Sequence, residues 1–199
     1  MRQAFFPERG LLAEQAAHRC LTGQTLSSVL ARLRLVTTAE LLCPSAPPQT
    51  VLDLCGELEI LCDAVQEVVR RRPGWLYSSF PEKAPVRVRR RLLYAAILCA
   101  LRGALLTQRP ATLLCEVLPD SVLLQLRGGL PGDTPLLLRR LAQEANGVAV
   151  FSSGPFLSAA LRLPRIPDQP VCAPPSEKEL IRDRFSLPYL YLSGFCAEP

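Results

Sequence analysis

Between Arg91 and Leu106 the chain reads RLLYAAILCALRGALL, and a little further on, from Leu126 to Asp133, LRGGLPGD. The first stretch reads as an apolar helix and the second as a glycine turn leaving a strand. Together they constrain the fold more than any other feature, because a helix and a strand that both carry apolar faces must bury them in packed layers. The longest uncharged apolar run, Leu92 to Leu101, stops at Arg102. That is far short of the roughly 20 residues that cross a bilayer. The opening residues, MRQAFFPERGLLAEQAAHRC, have no continuous apolar core and no small-residue cleavage site, so no signal peptide is expected. A soluble cytosolic protein is the expectation.

Apolar spacing organises the rest. From residue 11 to 36, Ala13, Ala17, Leu21, Leu26, Val29, Leu30, Leu33 and Val36 recur mostly at three- and four-residue intervals, the period of a helix, with a weak point at Gly23. The proline-bearing stretch CPSAPPQT, residues 43–50, cannot continue it. A second helix follows, with Leu54, Leu58, Leu61, Val65 and Val68 on one stripe, ended by Pro73-Gly74. WLYSSF and PVRVR read as short strands. The apolar helix, Arg90 to about Thr107, stops before Arg109-Pro110. ATLLCEVL and VLLQLRG form a hairpin around PDS. A helix capped by Thr134 and started by Pro135 runs to Asn146-Gly147, a left-handed cap. GVAVFSS and LSAALRL close a second hairpin around GPF.

This order predicts an α+β protein, a two-layer sandwich of a mixed, mostly antiparallel sheet and helices, preceded by a long N-terminal helix. The expected divisions are an N-terminal helical, dimerisation-like segment over 1–42, a linker over 43–50, the α+β body over 51–164, and a proline-rich tail over 165–199. The tail ends in an apolar patch, FSLPYLYLSGF. Packing of that patch on the sheet is expected over a free docking strip.

At 199 residues, with 49% hydrophobic and 21% charged, the chain can build a core of ordinary size. The net charge of +5 is concentrated in VVRRRPG and VRVRRRLL, but aromatic residues are only 6% and no reader motif accompanies the arginines. Solvated helix faces are the better reading, and no nucleic-acid partner is expected. Of the 8 cysteines, Cys43, Cys55, Cys62, Cys99 and Cys115 sit among leucines and alanines, no pair has zinc-knuckle spacing, and there is 1 histidine. They read as small hydrophobes, and no metal site is expected.

From Val51 to Pro164 the layout resembles the catalytic domain of bacterial sensor histidine kinases, an ATPase fold shared with gyrase and some heat-shock chaperones. VLDLCGELEILCDAVQEV is similar to the family's entry into its first helix. VRVRRRLLYAAILCALRGALLTQ is similar to the segment in which an aspartate opens a helix carrying two asparagines. SVLLQLRGGLPG stands where the family has a strand ending in Asp-x-Gly-x-Gly, and PLLLRRLAQEANGVAVFSSGPFLSAALRLP resembles the closing helix and final hairpin. Arg89 then takes the place of the helix-opening aspartate, Leu93 that of the usual leucine, and Cys99 and Gly103 those of the two asparagines. Arg127 takes the place of the adenine-selecting aspartate, with Gly129 the glycine that follows it.

The resemblance therefore implies an ATP site without its chemistry. Mg²⁺ needs oxygen ligands, whereas Cys99 offers sulfur and Gly103 nothing. Arg127 is a donor only and cannot accept the bond of an adenine amino group. Only GDT separates Pro131 from the closing helix, so the mobile lid of the family is missing. Arg127 and Arg102 could attract an anion by charge alone. No cofactor is expected, and ATP with Mg²⁺ enters only if the chain is a diverged kinase that still binds nucleotide.

His18 is the sole histidine. In sensor kinases the phosphoaccepting histidine is followed by an acidic residue and, five positions on, a proline. Here those positions hold Arg19 and Gly23. An ordinary surface histidine is the better reading. The functional alternative is a histidine phosphotransferase that dimerises through residues 11–36 and takes phosphate from a response regulator onto His18. The leading expectation is a sensor-kinase-like, non-catalytic binding and dimerisation module, a homodimer with a response regulator or sensor kinase as partner.

Overall fold

The computed structural model describes residues 26–43, 49–69, 74–81, 83–152 and 158–196. His18, Gly23 and the start of the expected N-terminal helix lie outside these, as do residues 44–48 of the linker and the GPF turn of the last hairpin.

The five-stranded sheet runs in the order β2 (Leu76–Ser79), β4 (Ala111–Val117), β5 (Ser121–Arg127), β7 (Ser158–Pro164) and β6 (Val148–Ser152). β2 lies parallel to β4 and every other pairing is antiparallel. A separate two-stranded ribbon joins β1 (Thr50–Asp53) to β3 (Pro85–Val88), with Thr50 opposite Val88. The expected mixed, mostly antiparallel sandwich is what forms. Alternation decides its faces. Leu113 and Cys115, Val122, Leu124 and Leu126, and Leu161 and Leu163 point inward and are buried, while Gln125, Arg127, Val148 and Val150 lie on the open side.

Three helices supply most of the core opposite that sheet. α2 (Leu54–Val68) turns Leu54, Leu58, Leu61, Val65 and Val68 inward at helical spacing. α3 (Arg90–Leu106) is buried nearly all round, from Leu92 through Leu101. A helix apolar on every side must have neighbours on every side, and each fully buried leucine contributes about 1.5–3 kcal/mol. α4 (Thr134–Glu144) buries Leu137, Leu138 and Leu141. Asn146 takes φ 54 after it, the left-handed stop that its side chain tolerates. The cap is one residue earlier than the spacing suggests: Asp133 is the N-cap, and Thr134 is already helical and buried.

Two ionic clusters tie the helices together. Arg89, the N-cap of α3, donates to both carboxylate oxygens of Glu144 at 2.6 and 2.5 Å and to the Leu41 carbonyl at 2.7 Å. Arg140 reaches the same carboxylate at 2.7 Å. Glu57 on α2 is fully buried and accepts from the Arg90 guanidinium and the Tyr94 hydroxyl, and Arg90 also donates to the Ala173 carbonyl at 2.7 Å.

Several expectations change. β1 replaces the expected helical start at Val51. The Asp53 carboxylate accepts from the Ala84 amide at 2.9 Å, so it closes the ribbon instead of capping α2. α1 (Leu26–Leu42) continues past Val36, and its Val29, Leu30, Leu33 and Leu41 join the buried core. The apolar stripe expected to serve dimerisation is thus in use within the chain. The tail packs first on the ribbon, where the Cys172 amide donates to the Val51 carbonyl at 2.8 Å, and its apolar end then lies against helices. α5 (Glu177–Ile181) opens with a capping box between Ser176 and Glu179 and lies against α2. α6 (Leu187–Tyr191) lies against α1 and α3. Among the described residues no helix is long and apolar enough to cross a membrane. The described cysteines are free thiols: Cys55, Cys62, Cys99 and Cys115 are buried and Cys172 is exposed.

Candidate functional site

Arg89 fixes where α3 begins, and the helical period then sets Cys99 and Gly103 one turn apart. They do not flank a cavity. A Cβ placed on Gly103 would stand 2.4 Å from Pro131 Cδ and 2.8 Å from the Gly129 carbonyl oxygen. Helix and glycine turn therefore meet backbone against backbone. Gly128 makes that approach possible with φ 133, and a Cβ there would meet the Pro110 carbonyl oxygen at 2.9 Å. The turn from β5 to α4 is short and closed by the Thr134 amide donating to the Pro131 carbonyl at 2.8 Å.

Cys99 is buried beside this contact. Burial holds its thiol above the ordinary range, against the pull of the Thr134 hydroxyl and with the Asp133 carboxylate pushing the same way as burial. Thr38 and Tyr191, which the sequence reading did not single out, complete the cluster together with Arg102. Tyr191 from the tail is fully buried, and its hydroxyl shares a hydrogen bond of 2.9 Å with Thr38 of α1. Burial pushes that hydroxyl up to about 12. Thr38 opposes the shift, and the neighbouring Cys99 and Asp133 add to it. Arg102, one turn from Cys99, donates to the Tyr191 and Ser193 carbonyls at 3.1 and 2.8 Å and lies 5.4 Å from the centre of the Phe195 ring. Burial, and then the like charge of Arg34, lower its affinity for the proton. No local signal links these residues, because Thr38 and Tyr191 lie 153 positions apart.

Of the residues placed by resemblance, the structure brings Cys99, Gly103 and Gly129 together and leaves Arg127 out. Arg127 lies on the open side of the sheet, where it lines a shallow groove of about 130 Å³ with Gln125, Val150, Ser152 and Ser158. The strand pleat is the reason: Val122, Leu124 and Leu126 take the inward positions of β5, so the inward residue next to the glycines is Leu126. Leu126 offers no acceptor for an adenine amino group. Asp133 is a half-buried carboxylate near Cys99, but it stands among a thiol, two arginines and a tyrosine. That is not the oxygen-rich shell that Mg²⁺ requires, so the residues present do not fit a magnesium–triphosphate. His18 lies outside the described residues.

No family model matches the chain, and no curated protein matches it. Solved structures do. The Acinetobacter baumannii histidine kinase AdeS is similar over 80% of this chain and 96% of its own, with a TM-score of 0.50 at 11% identity. The ATP binding domain of PrrB from Mycobacterium tuberculosis gives 0.47 at 16% identity, over 60% of this chain and 99% of its own. The histidine kinase domain of the E. coli osmosensor EnvZ gives 0.46 at 12% identity, over 67% of this chain and 99% of its own. The order of elements, the five-stranded sheet and the AdeS similarity agree: the chain has the fold of a histidine-kinase-type ATPase domain.

Proposed function

We propose that the chain is a sensor-histidine-kinase-like protein of bacterial two-component signalling whose nucleotide site is closed, and that it acts in the cytoplasm as a non-catalytic binding and dimerisation module. The observation that carries this reading is the contact of Gly103 with Gly129 and Pro131, which takes up the space between helix and glycine turn. Two further features support it. The polar groups around Cys99 are its own buried thiol, the Thr134 and Tyr191 hydroxyls, two guanidinium groups and the single Asp133 carboxylate, which is short of the oxygen-rich shell that Mg²⁺ needs. Tyr191 also fills the side of the cluster facing α1. The partners would be a second copy of the chain and a response regulator or sensor kinase.

Calorimetric titration with ATP, with and without Mg²⁺, tests this on the full chain. A flat titration is expected, and saturable heat with a Kd below about 1 mM overturns the reading. Incubation with a phosphorylated receiver domain is expected to leave the chain unlabelled. A label that is lost in His18→Gln would instead make it a phosphotransferase.

A further inference from the structure

β6 is an edge of the five-stranded sheet, and its only strand partner among the described residues is β7. No backbone bond of residues 148–152 reaches any other described segment. Alternate residues of such a strand turn their N–H and C=O groups outward, where another strand can take them up. Edges that must stay unpaired carry lysine, proline or a bulge. VAVFS carries neither residue, and its register with β7 runs unbroken from Val148 to Ser152. The pleat sends Val148 and Val150 to the open side, where they are 59% and 60% exposed. Ala149 and Phe151 turn to the helix side and pack against the core.

Charge at the rim decides what such an edge accepts. Arg139, exposed on α4, lies 5.2 Å from the centre of the Phe151 ring and forms no ion pair among the described residues. The carboxylate of the same helix, Glu144, is buried and shared by Arg89 and Arg140, so it does not offset Arg139 at the surface. On the open side Arg162, opposite Val148, meets the exposed Asp120 at 3.5 Å, and Arg127 lines the groove beside Val150. Glu116, another exposed carboxylate of that face, stands on β4, two strands farther in than Arg162. Cations therefore flank the edge on both faces.

A second copy of the chain is a poor occupant. Two β6 edges paired about a two-fold axis keep their helix sides together and set one Arg139 against the other, and like charges across a strand pair are unfavourable. We infer that the β6 edge receives an extended segment of a partner protein, which adds to the sheet as a strand and alternates apolar residues with carboxylates. Its apolar residues lie beside Val148 and Val150, and its carboxylates lie beside Arg139. Backbone bonds supply the affinity and alternate side chains the selectivity. The inference goes beyond the closed nucleotide site and does not depend on it.

Titration of the full chain with a blocked peptide, Val-Glu-Val-Glu-Val-Glu-Val, tests it, with hydrogen exchange to locate the contact. Binding is expected with a Kd of roughly 10–100 µM and with protection gained in residues 148–152. The same peptide with lysine for glutamate is expected to bind at least about 10-fold more weakly. Arg139→Glu, at an exposed position that leaves the core untouched, is expected to reverse that preference. Equal affinity for the two peptides, or no binding of either below about 1 mM, overturns the proposal. Binding that leaves residues 148–152 unprotected overturns it too, because charge attraction alone would then be the cause. An Arg139→Glu chain that keeps the wild-type preference removes Arg139 from the site and overturns the assigned chemistry. Self-association that protects residues 148–152 without peptide overturns the choice of partner and gives the edge to a second copy. ATP binding in calorimetry would remove the closed-site reading and leave the peptide results standing, so the two failures are distinguishable.

Discussion

Gly103 on α3 and Gly129 in the turn after β5 face each other with no side chain between them: a Cβ on Gly103 would lie 2.8 Å from the Gly129 carbonyl oxygen, and one on Gly129 would lie 2.7 Å from the Gly103 carbonyl carbon. Backbone cannot retreat as a flexible side chain can. Gly103→Ala is therefore expected to destabilise the fold by about 1–3 kcal/mol, the cost of overpacking a filled site. Urea unfolding checks it. A stability equal to wild type would mean that the turn stands off the helix, and the closed-site reading would fail with it.

Arg89 and Glu144 form a pair whose side chains are only 3% and 8% exposed. Removing Arg89 leaves the buried Glu144 carboxylate with Arg140 alone and strips the Leu41 carbonyl of its donor. Arg89→Ala is expected to cost about 3–5 kcal/mol, well beyond an exposed arginine such as Arg184. The same denaturation series measures both.

Alkaline pH should weaken the protein. Burial, then the charge of Asp63, pushes the Cys62 thiol from 9.0 up to about 12. Burial likewise pushes Tyr191 from 10.0 up to about 12. Both groups hold their protons more tightly when folded. Their contribution is whole below the unfolded values and is lost as pH climbs towards about 12. Within that window each group adds a slope of about 1.4 kcal/mol per pH unit. Cys62→Ala is expected to flatten the fall of stability with pH by about one such slope, which denaturation at several alkaline pH values reads directly.

Thiol chemistry gives a map that needs no mutation. Cys172 is exposed, whereas Cys55 and Cys115 are buried with their sulfurs 3.3 Å apart. This mutual contact, and then burial, hold the Cys115 thiol well above its ordinary range, which keeps it protonated and unreactive. Alkylation under native conditions, followed by mass spectrometry, is expected to modify Cys172 faster than Cys55 or Cys115 by on the order of 100-fold or more.

Much of the body was legible in the sequence because its signals are local. Pro110 and Asn146-Gly147 bound their helices where the structure does, and the pleat of β4, β5 and β7 is written in alternating leucines. Thr50–Asp53 was not legible as a strand. Its residues run into the next helix with the same apolar character, and only pairing with Pro85–Val88 reveals it. The side on which Arg127 lies was lost to a one-residue register choice, since a shift by one turns every strand side chain to the other face. The tail could be read as apolar but not assigned a surface. Whether Tyr191 meets a sheet or a helix depends on Thr38, Cys99 and Arg102, and nothing local in PYLYLSGF encodes them.

The hydrogen bond between Thr38 and Tyr191 joins nearly opposite ends of the chain, which bears on how the protein is made. A ribosome delivers the first of these helices long before the second, because 153 positions separate the two partners. Until Tyr191 emerges, the Thr38 hydroxyl has only water to bond, so this corner of the fold closes late.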